Sequence, residues 1–136
     1  MGWMKKGNLK GPKGDQGEAA TEGGPKLLWS GSVSGTMVGI TAPGISGYKV
    51  IELTFDTSKT GREFIGGSVF TVLAGKTSEG WMSSYFNMID YKDRLLSPRI
   101  CIRADGDDAC KMTTYDSFNP VTSFEVTQIR GIVKDA

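Results

Sequence analysis

Apolar and polar positions alternate from Leu27 to the end of the chain, with the period of two that is typical of half-buried β-strands. The stretch "YKVIELTF" shows this pattern most clearly. Lys49 and three apolar residues share one of its faces, and Val50, Glu52 and Thr54 take the other. The apolar residues are Ile51, Leu53 and Phe55. This stretch predicts a strand with one face in the core.

Three further stretches vary this pattern. "RICIR" alternates strictly, whereas "SVFTVLA" is apolar nearly throughout, which is typical of a central strand covered on both sides. "SFEVTQIRGIV" begins with Phe124 and Val126 on one face, but its phase slips before Ile129 and Ile132. Glycine inside a strand often accompanies a bulge, so Gly131 is the candidate position for one.

Turn-forming residues separate these stretches, in "APGISG", "TSKTGR", "AGKTSEG" and "FNP". About eight short strands with such regular turn signals are typical of an antiparallel sandwich. The stretch "YFNMIDYKDRLL" is compatible with one helical turn or with a strand. We therefore predict an all-β fold, in which residues 27–136 form an antiparallel, jelly-roll-like β-sandwich head.

Composition changes sharply before this head. Residues 1–26 contain seven glycines, two prolines and five lysines, and no β-branched aliphatic residue, so this part cannot bury a core. Within it, residues 11–19 read as three collagen-like triplets, and residues 20–26 read as a linker. The triplets depend on Gly11, Pro12, Gly14 and Gly17.

Three triplets are too few to hold three chains together, because glycine at every third position gives only a few contacts at a common axis. They can therefore serve as a flexible linker, or as a short neck that winds only if the heads trimerise. Both interpretations stay open from the sequence.

The first ten residues combine apolar anchors with cations and carry no acidic residue. Such a segment can order by placing its tryptophan in a pocket of a larger partner while its lysines meet carboxylates. The alternative is a disordered tail. The anchoring residues would be Trp3, Met4, Lys5, Lys6, Leu9 and Lys10.

Charge and composition exclude several classes of function. The formal net charge of +1 favours neither nucleic acid nor an acidic membrane as a partner. The chain has no run of 18 apolar residues that would span a membrane, and its start lacks the apolar core of a signal peptide. It contains no histidine, and no paired carboxylates or nucleophile–base set is recognisable, so we expect neither enzymatic activity nor a cofactor.

The two cysteines flank "IRADGDDA". A two-residue hairpin loop at Asp105 and Gly106 would place Cys101 opposite Cys110, where a disulfide is conceivable. The apolar pattern instead favours a register slipped by one residue, with Ile102 opposite Cys110. Synthesis in the cytosol also disfavours a disulfide, so we expect two free thiols.

Four aromatic residues are candidates for a ligand-binding face. They lie near hydroxyl groups in "GWMSSYF" and "TTYDSFNP", and exposed aromatic rings beside hydroxyls can stack on sugars. The alternative is that they belong to the core or to an interface, as expected for Trp29 in the first strand. The candidates are Trp81, Tyr85, Tyr115 and Phe118. The carboxylates of "DGDD" could hold calcium, but a solvated turn fits them better, and we expect no metal site.

Several short motifs resemble one family. "KGPKGDQGE" ahead of a β head that opens with "KLLWSGSVSG" and closes with "FEVTQIRGIVK" resembles the collagen-neck fibre and tail-appendage proteins of bacteriophages. The match to a "LWSGS" first strand and an "I-x-G-I" last strand rests on short motifs at the two ends of the head. Those motifs comprise Leu28, Trp29, Ser30, Gly31, Ser32, Ile129, Gly131 and Ile132.

This resemblance implies a non-enzymatic virion protein, a homotrimer anchored to capsid or tail proteins by its N-terminus with the head displayed outward. The triplet segment is much shorter than in long fibres, and no shaft follows it. A stubby head fibre or capsid decoration therefore fits at least as well as a host-seeking tail fibre. The alternative function is a receptor-binding head, or adhesin, that recognises a carbohydrate on the host surface.

Overall fold

The computed structural model describes residues 25–84 and 86–135. The expected anchoring segment, the triplets, most of the linker and Tyr85 lie outside the described residues. The first strand begins at Lys26, one residue before the expected start of the head.

Short strands make up most of the described chain, with 3₁₀ turns at Ile45–Gly47 and Ser58–Thr60. The strands are β1 (Lys26–Val33), β2 (Val38–Thr41), β3 (Tyr48–Asp56), β4 (Val69–Lys76), β5 (Gly80–Ser83), β6 (Met88–Ile89), β7 (Leu95–Leu96), β8 (Pro98–Ala104), β9 (Ala109–Asp116), β10 (Asn119–Pro120) and β11 (Glu125–Lys134). The stretch with an ambiguous helix or strand pattern forms the β6–β7 hairpin.

Nine strands form one antiparallel sheet in the order β1-β11-β3-β4-β5-β8-β9-β10, with β2 also paired to β9. β1 and β2 follow each other in the chain but lie at opposite ends of this order. The sheet therefore curls until its ends approach, and it forms a nearly closed barrel. The predicted all-β antiparallel class is confirmed, whereas the sandwich and jelly-roll arrangement is not.

Hydrogen bonds from the β1–β2 connection hold the barrel's ends together. The Gly35 N–H donates to Thr114 Oγ1 at 2.9 Å, and the Thr114 N–H donates to the Gly35 carbonyl at the same distance. The Met37 N–H donates to Thr113 Oγ1, also at 2.9 Å. These bonds extend the contact with β9 beyond the reach of β2, through one backbone N–H and two threonine hydroxyls of that strand.

The core fills the inside of the barrel. Ile51, Leu53 and Phe55 on β3 are fully buried, as their alternation predicts. Phe55 is surrounded by three more phenylalanines, at ring-centroid distances of 5.5–5.8 Å; these are Phe70, Phe86 and Phe124. The alternation fails only at the start of the strand. There Tyr48 is buried and Lys49 is exposed, because the pairing with β11 shifts register at this point.

β4 differs from its prediction. Val72 and Ala74 point into the core, but Val69 and Leu73 on the other face are 57% and 50% exposed. A single curled sheet has an inner layer of side chains and an outer one, and no described element covers the outer side of β4. The prediction that both faces of β4 are buried is therefore wrong for a single copy of the chain.

β11 follows its predicted irregularity. Its pairing with β3 shifts register between Val126 and Gln128, and again between Gly131 and Val133. Gly131 is buried, and a Cβ added there would lie 2.5 Å from the Tyr48 ring. A side chain would overlap that ring, so the packing requires glycine here.

On β1, Leu28 is buried, and Trp29 packs against the core while only half-buried.

The β8–β9 hairpin has a longer loop than predicted. Ala104 pairs with Cys110 and Cys101 pairs with Thr113, so neither predicted register is correct. The loop is longer because it docks on the segment after β2: the Gly44 N–H donates to Asp108 Oδ1 at 2.8 Å. Both cysteines are free, as expected, with Cys110 inside the barrel and Cys101 half-buried on its outer face.

The strand pairings define two ends of the barrel. We call the base the end that carries Lys26, Tyr48, Gly80 and Lys134, since Lys134 pairs with Tyr48 and Lys26 with Gly131. The crown is the opposite end, which holds the β9–β10 loop and the β6–β7 hairpin. Residues 1–24 therefore join the head at its base. No helix in the described part has the length and apolar character needed to cross a membrane.

Candidate functional site

The predicted ligand-face residues occupy different places. Trp81 is only 1% exposed, and its Nε1–H donates to the Tyr48 carbonyl at 2.8 Å. Its position on β5 pairs with inward-facing Ile102, which turns the indole into the core. This corrects its expected place on a ligand face. Tyr115 is half-buried, and Phe118 is 78% exposed.

Phe118 sits at the tip of a two-residue loop between β9 and β10, where Asp116 pairs with Asn119. The other loop residue, Ser117, has φ of 59°, which is unusual for a residue other than glycine. The Ser117 N–H donates to the Ser97 carbonyl at 2.8 Å, and the Ser97 N–H donates to Asp116 Oδ1 at 3.0 Å. These two bonds fix the loop against the start of β8, so the backbone that carries the exposed ring is held in place.

Arg99 connects the two aromatic residues that remain candidates. It pairs directly with Tyr115 across β8 and β9, and its guanidinium carbon lies 5.4 Å from the centroid of the Phe118 ring. A guanidinium at this distance over a ring makes a favourable cation–π contact. Tyr115, Arg99 and Phe118 therefore form a continuous strip at the crown.

A cleft of about 190 Å³ lies next to the Phe118 ring. Ser97 donates its hydroxyl to Asn87 Oδ1 at 2.6 Å within the cleft wall. The residues that line the cleft are Phe86, Asn87, Ser97, Pro98, Arg99, Ser117 and Phe118. The cleft thus combines one open aromatic surface with amide, hydroxyl and guanidinium groups.

Sequence reasoning did not find three of these groups. The strict alternation of "RICIR" places Arg99 on the outer face of β8, and its closeness to Phe118 follows only once the β8–β9 register is known. Asn87 and Ser97 flank the β6–β7 hairpin, which closes to bring them together. No local pattern marks either of them.

A second depression of about 300 Å³ lies on the outer face toward the base. Cross-strand pairing places Met82 beside Cys101 there, and Met37 and Arg103 also line it. Burial raises the pKa of the Cys101 thiol, although Arg99 nearby acts in the opposite direction. The thiol is therefore protonated at neutral pH, which makes it a poor nucleophile.

Asp90 forms the centre of a charged cluster at the crown. The residue is 2% exposed, and its Oδ2 lies 2.8 Å from the Nε atoms of Arg62 and Arg94. Burial acts to raise the pKa of this carboxyl. The Arg94 and Lys92 N–H groups and both guanidinium groups outweigh burial and hold the pKa well below its usual range. Arg62 also donates to the Arg94 and Leu95 carbonyls, so the cluster ties the β6–β7 hairpin to the rest of the barrel.

The carboxylates of the β8–β9 loop have structural contacts. Asp108 accepts from the Gly44 N–H, and Asp107 Oδ1 lies 3.4 Å from the Ser46 hydroxyl. Within residues 25–84 and 86–135, no three His, Cys, Asp or Glu side chains come together as a metal-binding group.

Comparison with known proteins returns no relatives: no protein-family model matches the chain, and neither a curated protein nor a solved structure is significantly similar to it.

Proposed function

We propose that this protein is a non-enzymatic structural component of a bacteriophage particle. Residues 1–10 anchor it to capsid or tail proteins, residues 11–19 form a short neck, and three heads are displayed outward. The observation that carries the proposal is the geometry of attachment. The glycine triplets precede a β barrel with its own core, and the chain joins that barrel at the base, which leaves the crown facing away from the particle.

The short neck favours a capsid decoration or head fibre over a tail fibre that searches for the host. Nine residues in a collagen-like conformation extend roughly 3 nm, at about 3.1 Å per residue. Such a neck holds the head close to the particle surface.

The outer face of the barrel supports association of three heads. Leu27 at the start of β1 and Leu73 on β4 are 54% and 50% exposed. They lie in one cross-strand row, separated by Arg130 and Glu52, whose side chains approach to 3.5 Å. This row runs across β1, β11, β3 and β4, next to the point where residues 1–24 join. Apolar residues around a mixed charge pair suit a contact with another copy of the same head.

The experiment that tests the proposal uses labelled protein on intact particles. The full-length protein should decorate purified particles of its host phage in electron micrographs. A truncated chain lacking residues 1–10 should stay folded, because the described core begins at β1, but should no longer bind. Decoration by the truncated protein would contradict the anchoring role, and failure of the full-length protein to decorate would contradict the virion location.

A second candidate function is binding of a carbohydrate on the host surface. The specific observation in its favour is the 78% exposed Phe118 ring beside Arg99 and a largely apolar cleft that also carries amide and hydroxyl groups. The two functions are compatible, since a particle-bound head would present this site outward.

A further inference from the structure

We infer that the crown cleft beside Phe118 binds the terminal pyranose ring of a surface polysaccharide. The inference deepens the second candidate function and does not depend on where the protein sits on a particle. It begins from exposure: among the described residues, Phe118 is the most exposed of the large hydrophobic side chains. A single exposed ring is ordinary by itself, but Phe118 borders a cleft that Phe86 and Pro98 also line, so the apolar surface there is continuous.

The backbone beneath the ring supports this interpretation. Ser117 occupies the left-handed region, at φ of 59°, where glycine would be unstrained. A two-residue hairpin loop commonly requires a positive φ, so the turn itself accounts for this conformation. The hydrogen bonds between Ser97 and the loop fix the turn against β8, and the backbone that carries Phe118 is held in one place.

The chemistry of the cleft matches a sugar ring. A pyranose has an apolar face of C–H groups, which an aromatic ring can cover, and an edge of hydroxyls, which need donors and acceptors. Phe118 offers the aromatic surface, while Arg99 and the Asn87 amide offer donors at the cleft wall. The Ser97 hydroxyl, already bonded to Asn87, also has acceptor capacity.

The size of the cleft limits the ligand to one ring. Its volume of about 190 Å³ is below the 300–1,000 Å³ that is usual for sites that enclose a drug-sized molecule. The site would therefore recognise the end of a glycan chain and bind it weakly. The three heads of one proposed trimer, and the many trimers on one particle, would raise the avidity for a cell surface.

The test uses full-length protein on an array of oligosaccharides from bacterial surface polysaccharides, followed by calorimetric titration of the strongest hit. The wild-type protein should give hits, and Phe118→Ala should weaken the titrated binding about tenfold or more, the effect of losing one stacking contact. Phe118→Trp should preserve binding, because it keeps a planar ring. Asn87→Ala should weaken it to a smaller extent.

Tyr91→Ala is the matched control. Tyr91 is 68% exposed at the same end of the barrel but lies in a different depression, between Arg62 and Ser68. Its replacement should change neither affinity nor melting temperature, and Phe118→Ala should also melt like the wild type.

Three results would overturn the inference: no hit from folded wild-type protein, hits that survive Phe118→Ala, or loss of self-association in Phe118→Ala, which would make the ring a protein contact. None of these results bears on decoration of particles. The particle experiment and the array can therefore fail independently.

Discussion

At the scale of single residues, Asp90 shows how the barrel uses charge. The described residues contain no other carboxylate buried to this degree, and Asp90 accepts hydrogen bonds from two backbone N–H groups and two guanidinium groups. A buried carboxylate is costly to desolvate, and bonds of this number and strength offset that cost. The cluster is thus a structural crosslink between Arg62 and the β6–β7 hairpin.

We predict that Asp90→Asn lowers the melting temperature at neutral pH by roughly 5 °C or more, because both arginines lose their carboxylate partner. The folded-state pKa of Asp90 is depressed, so its stabilising effect is complete above the unfolded pKa near 3.8 and is lost as the pH falls below that value. The difference in melting temperature between wild type and variant should therefore be constant above about pH 5 and should narrow in acid. Thermal unfolding followed by circular dichroism from about pH 2.5 to about pH 7 measures this difference in melting temperature. The range extends about one unit or more to either side of that pKa. A gap that stays constant to the lowest pH would refute the role of the ionised carboxylate.

At the scale of elements, Gly131 on β11 shows how one missing side chain allows two strands to pack. The Tyr48 ring occupies the space where a Cβ would lie, and the Tyr48 carbonyl holds the Trp81 indole. A change at position 131 therefore affects the packing of three strands.

We predict that Gly131→Ala destabilises the fold by about 1–3 kcal/mol, the usual cost of overpacking a core. Gly39→Ala is the control, because a Cβ added at Gly39 on β2 meets nothing within 4 Å. Its effect should be close to zero. Urea denaturation of both variants gives the comparison, and equal stability of the two would show that Tyr48 can move aside at no cost.

The strands with one buried face were predictable from the sequence, because apolar and polar residues alternate in them with a period of two. β3 and β8 follow that period, and β11 even shows its break before Ile129. Two things could not be predicted. The curl of the sheet depends on where β2 pairs, the hairpin register at Cys101 depends on a loop that docks on Gly44, and local pattern carries neither.

The composition of the candidate site was predictable only in part. The sequence groups Tyr115 and Phe118 as candidates for a ligand face, and the structure places Arg99 next to both of them. The same reasoning misplaced Trp81, because "GWMSSYF" has no alternation that tells the inner face from the outer one. The sequence does not show which side of β5 faces the core until the pairing of β5 with β8 is known.

At the scale of the whole molecule, the uncovered face of β4 is the place where the sequence pattern and the structure differ most. The near-continuous apolar run in "SVFTVLA" predicted burial on both sides, and a single chain buries only one. A second copy of the head on the outer face would reconcile the sequence pattern with the structure.

We predict that Leu73→Glu converts the proposed trimer of the full-length protein to monomers without lowering the melting temperature of the head, because the new charge would be desolvated only between subunits. Sedimentation velocity gives the oligomeric state. Tyr91→Glu, a substitution at an even more exposed residue at the crown, should leave the proposed trimer intact. Trimers that persist in Leu73→Glu would exclude this face as the contact, and a monomeric wild type would contradict the trimer itself.

The position of β11 has a practical consequence for anyone who engineers this head. β11 ends beside the beginning of β1, so a fluorescent protein fused behind Lys134 would lie at the base, the end of the barrel that residues 1–24 join. A protein to be displayed at the crown should instead be inserted in the exposed loop around Ile65, where Gly66 and Gly67 have the positive φ values of a tight turn. Fusions at these two places should both leave the barrel folded, but they would project from opposite ends of it.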